Sequence, residues 1–297
     1  MKLLYYPGCA LKSTAAELER SAISVARLLG VELTELDKWY CCGVVHNLAV
    51  DSEMYFVAPA RNLSRAQVMA RELGLPKKLV TVCSMCYSTL KHANLTLKSD
   101  HGKLEKINKF MDTEEPYNGE MEVIHFSQLF KDFLQNKTLE KHLKRHLNGL
   151  RVAPYYGCVL LRPKETAIVD SNDPDIFEGI ISAAGGIPVS YPKRDECCGS
   201  YQTALSKEIT LSKGSEILGS AEEWDAQLVA TMCPLCHFNL KLSREESEKR
   251  ERRRLLPTLY LTEILSYVFG FDDILIEGSM ELMNRLVENS SKEKIMQ

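Results

Sequence analysis

The sequence predicts an α/β protein, built as two pseudo-symmetric α/β domains with largely parallel sheets, residues 1–148 and 149–297. Three features point there. Short apolar runs of strand character alternate with amphipathic helical stretches along the whole chain, which is the pattern of βαβ units. The alternation runs twice in the same order. All ten cysteines fall into two groups of five, each ordered as a single cysteine, a Cys-Cys-Gly and a Cys-x-x-Cys. The steps from Cys9 to Cys158, Cys41 to Cys197 and Cys83 to Cys233 are 149, 156 and 150 positions. Cysteines used as small core hydrophobes would scatter instead.

In chain order, Lys2 to Tyr5 is a short buried strand that delivers Pro7-Gly8-Cys9 into a loop. Thr14-x-x-Glu17 fits a capping box, and Ala15, Leu18, Ala22, Val25 and Leu29 form one apolar stripe of a helix ended by Gly30. Val31 to Leu36 alternates as a strand and leads to Cys41-Cys42-Gly43. Ser52 to Leu73 is a helix stopped near Gly74 and Pro76. Lys78 to Val82 is a strand entering Cys83, and a helix opens inside the Cys-x-x-Cys turn. Gly102 to Glu120 is polar and is expected to be an exposed insertion. Glu122 to Phe126 is a further strand, with a short helix after it. The basic run from Asn136 to Asn148 is the expected inter-domain connection, a solvated face or an anion-binding one.

The second half repeats the plan. Arg151 to Tyr155 leads to Cys158. Asp173 and Pro174 can start a helix that Gly185-Gly186 ends. Ile187 to Tyr191 leads to Cys197-Cys198-Gly199. Thr203 to Leu218 is a helix, and Gln227 to Thr231 a strand entering Cys233. Arg244 to Arg254 is an exposed charged helix or insertion, and Thr258 to Leu261 parallels Val123 to Phe126. The tail from Gly278 is a peripheral amphipathic helix followed by disordered residues. Because each cysteine group follows a strand, the groups can meet at the carboxyl edge of each sheet, where such folds bind ligands. The two clusters of cysteines are expected to face a shared cleft.

Lys plus Arg number 37 and Asp plus Glu 40, so the net charge of −3 gives no global case for nucleic-acid binding. The first residues lack the apolar run of a signal peptide, and no 18-residue apolar stretch is present, which predicts a cytoplasmic protein with no membrane span. In a reducing compartment, clustered cysteines point to metal or redox chemistry rather than a disulfide framework. Neighbouring Cα atoms, about 3.8 Å apart, also suit a disulfide poorly.

A Cys-x-x-Cys that opens a helix is a soft-metal clip, because the helix N-terminus lowers thiol pKa. Alone it is compatible with zinc, iron–sulfur or dithiol redox chemistry. Four thiolates satisfy zinc or an ordinary iron–sulfur cluster. A fifth is useful where thiolates bridge metals or the cluster is not a simple cube. The glycine after each pair allows a left-handed turn or close backbone approach beside a bulky group.

These motifs, with Tyr5-Tyr6-Pro7-Gly8-Cys9 and Tyr191-Pro192-Lys193 ahead of Cys197-Cys198-Gly199, resemble the tandem CCG (cysteine-rich) domains of the heterodisulfide reductase B-subunit (HdrB) over nearly the whole chain. The wider superfamily includes subunits of glycolate and lactate oxidation systems, anaerobic glycerol-3-phosphate dehydrogenase and thiol–fumarate reductases. The resemblance implies two noncubane 4Fe-4S clusters. Cys9, Cys41, Cys42, Cys83 and Cys86 would hold one; Cys158, Cys197, Cys198, Cys233 and Cys236 the other. One site as zinc or another iron–sulfur type stays open. The resemblance also implies two-electron cleavage of a disulfide to two thiols, with the coenzyme M–coenzyme B heterodisulfide as substrate in a methanogen. Implied partners within a heterodisulfide reductase complex are its ferredoxin-like iron–sulfur C-subunit and its flavin-bearing A-subunit, with a hydrogenase or formate dehydrogenase module beyond. Such a substrate is anionic, which makes Lys193 and Arg194 candidate binding residues, with Lys12, Arg162 and Lys164 behind them. His237, directly after Cys236, and His46 are candidate proton donors to departing thiolates. The alternatives are an iron–sulfur electron-transfer subunit of a related oxidoreductase and a zinc-stabilised interaction module.

Overall fold

The computed structural model of the protein describes residues 1–44, 52–169 and 175–296. The chain divides into two compact units, Met1–Glu19 with Ala26–Phe126, and Arg20–Val25 with Ser127–Gln297.

The first unit holds a sheet of four parallel strands, β1 (Lys2–Tyr6), β2 (Glu32–Glu35), β3 (Lys78–Thr81) and β4 (Glu122–His125), in the order β2-β1-β3-β4. In β1 every residue after Lys2 is buried, as expected of a central strand covered on both faces. Between the strands run α1 (Ala16–Leu28), α2 (Val57–Glu72), α3 (Ser84–Ser99) and α4 (His101–Phe110). The stripe of Ala15, Leu18, Ala22, Val25 and Leu29 is buried, so the 3.6-residue period set the inner face of α1.

The second unit repeats the sheet with β5 (Arg151–Pro154), β6 (Ile187–Pro188), β7 (Leu228–Thr231) and β8 (Thr258–Tyr260), in the order β6-β5-β7-β8, again all parallel. Its helices are α5 (Lys131–Gln135), α6 (Ile176–Ala183), α7 (Gln202–Leu205), α8 (Lys207–Glu223), α9 (Pro234–Glu251), α10 (Leu261–Phe269) and α11 (Glu277–Met296). In both sheets the chain leaves the first strand to one side and returns to the other. The carboxyl ends of β1 and β3, and of β5 and β7, therefore form topological switch points, where this class of sheet opens a crevice.

Four expectations need correction. Residues 102–120 are not an exposed insertion. Asp100 accepts the Lys103 N–H at 2.9 Å to start α4, and Ile107, Met111 and Tyr117 are buried. The polar residues between them serve the fold: Asn108 bonds both the N–H and the carbonyl of Tyr117, and Glu114 takes a two-pronged bond from Arg65 of α2. The expected helix from Thr203 is broken at Ser206, whose extended backbone separates α7 from α8. The expected strand from Ile187 to Tyr191 pairs through two residues only, with Pro188 at the sheet edge. The tail stays helical to Met296. Met283 and Val287 are buried, Ser290 Oγ donates to Gln227 at 3.1 Å, and Arg151 pairs with Glu293 at 3.1 Å. The Asp173-Pro174 helix start lies outside the described residues. Among the described residues no helix is long and apolar enough to cross a membrane.

Candidate metal–thiolate sites

Each unit gathers its five cysteines beyond the carboxyl ends of its strands. Cys9 follows β1, Cys41 and Cys42 follow β2, and Cys83 and Cys86 open α3 after β3. Cys83 is the N-cap residue of α3 and Cys233 that of α9, where Pro234 takes the first helical position without wasting an N–H. Both Cys-x-x-Cys motifs thus place their sulfurs on the first turn of a helix, at the positive end of its dipole.

The contacts repeat from unit to unit. The Cys42 and Cys86 sulfurs are 3.5 Å apart, and those of Cys198 and Cys236 are also 3.5 Å apart. The Tyr6 hydroxyl donates to the Tyr40 carbonyl at 2.7 Å, and the Tyr155 hydroxyl to the Glu196 carbonyl at 2.6 Å. In each case a tyrosine three residues before the single cysteine grips the residue just ahead of the vicinal pair. Gly8 and Gly157 sit at left-handed φ of 75° and 63°. A Cβ on Gly8 would lie 2.9 Å from Cys86 Sγ, and one on Gly157 3.2 Å from Cys236 Sγ. These glycines make room for a sulfur. Gly43 and Gly199 also have positive φ, and at Gly199 a Cβ would meet Thr210 Cα at 3.0 Å. That close approach seats the vicinal loop on α8.

Each site has a lip and a floor. Cys9, Cys41 and Cys197 are exposed and Cys158 is half-buried, while Cys42, Cys83, Cys86, Cys198, Cys233 and Cys236 are buried. Cys9 and Cys41 are 3.7 Å apart at the first lip. On the floors the same pair of opposed shifts recurs. The neighbouring Cys41 and Cys86 thiols hold the Cys42 thiol well below its ordinary pKa, helped by the N–H of Val44 and the hydroxyl of Thr89. Cys236 does the same for Cys198, with the N–H of Ser200 and the side chain of Asn239. Cys86 and Cys236, their sulfur neighbours, are pushed up. The lips differ: Cys197, stabilised first by Cys158 and then by the Gly199 N–H and Arg162, is lowered to about 6, whereas Cys41 is raised. Among the described residues no three Cys, His, Asp or Glu side chains are arranged around a single metal ion.

His237 stacks on Tyr260, ring centroids 4.2 Å apart, with Nδ1 buried and lacking a hydrogen-bond partner. Burial lowers its pKa to about 4, so it is neutral at pH 7. The first unit exchanges the two rings: Tyr87 follows Cys86, and His125 at the end of β4 meets it edge-on at 5.6 Å. Lys193 pairs with Glu216 at 3.2 Å, and Arg194 lies 3.7 Å from Glu178 and donates to Ser190 Oγ at 3.1 Å. Lys12 bridges Glu19 and Glu35, and Arg162 reaches Asp195. Lys164 is exposed, and His46 lies outside the described residues. Sequence reasoning passed over Asn62 and Asn239. Asn62 bonds the N–H and carbonyl of Tyr40 at 2.8 and 3.0 Å, and Asn239 donates to the Cys198-Gly199-Ser200 loop. For Asn239 the available signal was position, a polar residue three places after Cys236 as Thr89 is three places after Cys86.

The family of cysteine-rich CCG domains matches residues 3–91 and 152–241, the two stretches that carry these sites. The chain belongs to the CCG family. Among relatives of this CCG protein is the 8-methylmenaquinol:fumarate reductase membrane anchor subunit of Wolinella succinogenes. It is 33% identical over 90% of this chain and 91% of its own length. A heterodisulfide reductase B-subunit-like protein of Archaeoglobus profundus is 28% identical, over 95% of this chain and 97% of its own. The B-subunit of ferredoxin:CoB-CoM heterodisulfide reductase from Methanosarcina mazei is 26% identical, over 91% and 90%. A solved structure of a hypothetical protein from Helicobacter pylori superposes with a TM-score of 0.70 at 14% identity, over 94% of this CCG chain and 50% of that one, a likeness of fold.

Proposed function

We propose that this chain is an iron–sulfur subunit of a multisubunit oxidoreductase, with one noncubane 4Fe-4S cluster held by the five cysteines of each repeat, residues 1–148 and 149–297. The observation that carries it is the twofold recurrence of one site: a floor of buried thiols, a lip of more exposed ones, and backbone N–H groups of the vicinal loop aimed at sulfur. The donor set fits such a group. Soft thiolates are its usual ligands, and the close Cys42–Cys86 and Cys198–Cys236 pairs already have one member easily deprotonated. When bound, a cluster supplies one-electron steps at a potential set by its hydrogen bonds and exposure.

The reaction we assign is reductive cleavage of a small disulfide: two electrons and two protons enter, the S–S bond breaks, and two thiols leave. The lips around Cys9, Cys41, Cys158 and Cys197 are where such a molecule can reach the sites. Lys193 and Arg194 would hold its anionic groups after exchanging their present partners Glu216 and Glu178. His237, neutral at pH 7 and next in sequence to Cys236, would act as a relay, taking a proton at one ring nitrogen as it gives one from the other. Electrons would come from a ferredoxin-like iron–sulfur protein served by a flavoprotein. The 33% identity with the anchor of 8-methylmenaquinol:fumarate reductase favours a second reading, an electron-transfer role between a quinol and a fumarate-reducing flavoprotein. The purified complex decides. Release of free thiol from a panel of disulfides, the CoM–CoB heterodisulfide included, supports disulfide cleavage. Quinol oxidation coupled to fumarate, with no thiol released from any disulfide, replaces it with the second reading. Zinc in place of iron overturns both.

A further inference from the structure

Thr89 and Asn239 occupy the same place in the two repeats, three residues past the Cys-x-x-Cys and beside the second cysteine of the vicinal pair. They are chemically unlike. We infer that this position sets the two sites at different reduction potentials, with Asn239 raising that of the second site through an N–H bond to the Cys198 sulfur. The inference rests on the cluster reading above.

Asn239 is fully buried on α9. Its Nδ2 lies 3.3 Å from Cys198 Sγ, 3.2 Å from the Cys198 carbonyl and 3.1 Å from the Ser200 carbonyl. Those carbonyls only accept, so the amide must turn its N–H₂ side toward the loop. Thr203 fixes the other side, its hydroxyl donating to Oδ1 at 2.7 Å. Ser243 Oγ lies 2.9 Å from the Asn239 main-chain carbonyl and 3.3 Å from the Thr210 carbonyl, so this turn of α9 packs against the wall under Gly199. The donor is thus locked in place next to the sulfur.

Thr89 has a single O–H to give. It lies 3.0 Å from the Met85 carbonyl, the usual back-bond of a helical threonine, so Cys42 receives only a contested donor. Hydrogen bonds to a ligand sulfur stabilise the more negative, reduced state of an iron–sulfur cluster. Each site has one backbone N–H from its vicinal loop, Val44 or Ser200. Beyond it, Asn239 brings two N–H groups divided among one sulfur and two carbonyls, whereas Thr89 brings one O–H divided between Cys42 and Met85. This difference separates the sites, with electrons settling at the second. Asn239 acts through Cys198 and is a positioning residue.

The test exchanges the two residues in the full chain, loaded with iron and sulfide, and follows potential by EPR-monitored redox titration. Asn239→Thr is expected to lower one of two midpoint potentials and leave the other in place. Thr89→Asn is expected to raise the one that Asn239→Thr leaves alone. A purely structural role for the position predicts no such gain. Full iron content with neither potential moved overturns the inference and leaves the cluster reading intact. If Asn239→Thr loses its iron, Thr89→Asn decides alone, a raised potential supporting the inference and an unmoved one ending it. A wild-type chain that binds no iron would fail the cluster reading itself.

Discussion

At the scale of single residues, the sites are shaped by what stands next to sulfur. Gly8 and Gly157 are needed twice over, for a left-handed backbone and for the space that Cys86 and Cys236 fill. Gly8→Ala should cost about 1–3 kcal/mol in urea unfolding and lower iron loading of the first site. Gly157→Ala should do the same at the second site to a lesser degree, because its Cβ would have 3.2 Å rather than 2.9 Å to the sulfur. Equal loading of both variants and wild type would show the glycines to be incidental. Tyr6→Phe and Tyr155→Phe should each cost about 1 kcal/mol by removing the hydroxyl that grips the vicinal loop. The cysteines were legible in the sequence because a duplicated pattern of ten is hard to produce otherwise. Asn62 and Asn239 were not, because a helical asparagine only reveals a role when the loop it holds, 22 or 41 positions away, is seen beside it.

At the scale of elements, the strands were legible where both faces are covered. Lys2–Tyr6, Lys78–Thr81 and Leu228–Thr231 are apolar runs that lead to a cysteine two or three residues on, and each forms as expected. α4 was not legible: its few inward residues, Ile107 with Met111 and Tyr117 beyond its end, are diluted by polar side chains whose partners lie on α2 and in nearby loops. Asp100→Ala should cost about 1 kcal/mol through the lost cap of α4. β4 ends in His125, buried with Nε2 3.1 Å from the Val82 carbonyl, and burial lowers its pKa to about 3. The folded histidine refuses a proton that the unfolded chain accepts below its ordinary pKa of about 6.5. Stability from His125 is therefore full above about pH 6.5 and is lost as pH falls toward 3, by about 1 kcal/mol per pH unit. Unfolding midpoints at pH 7, 6 and 5 should fall more gently in His125→Phe than in wild type; parallel lines would rule this out.

At the scale of the whole molecule, the duplication explains most of what the sequence disclosed. Two copies of one unit show the same strand order, the same switch point and the same tyrosine, glycine and helix-cap devices around sulfur. Where the copies differ, in the exchanged Tyr87–His125 and His237–Tyr260 pairs and in Thr89 against Asn239, the difference lies next to a cysteine. Independent sites in the two units follow from the first quintet and the second each lying within one unit. The most direct test is iron, sulfide and zinc content of anaerobically prepared wild type beside Cys198→Ser. The cluster reading predicts about eight irons per chain in wild type and about four in the variant, at about four iron atoms per cluster, with no zinc. Zinc without iron in the wild type, or loss of all iron from a soluble Cys198→Ser chain, would contradict it.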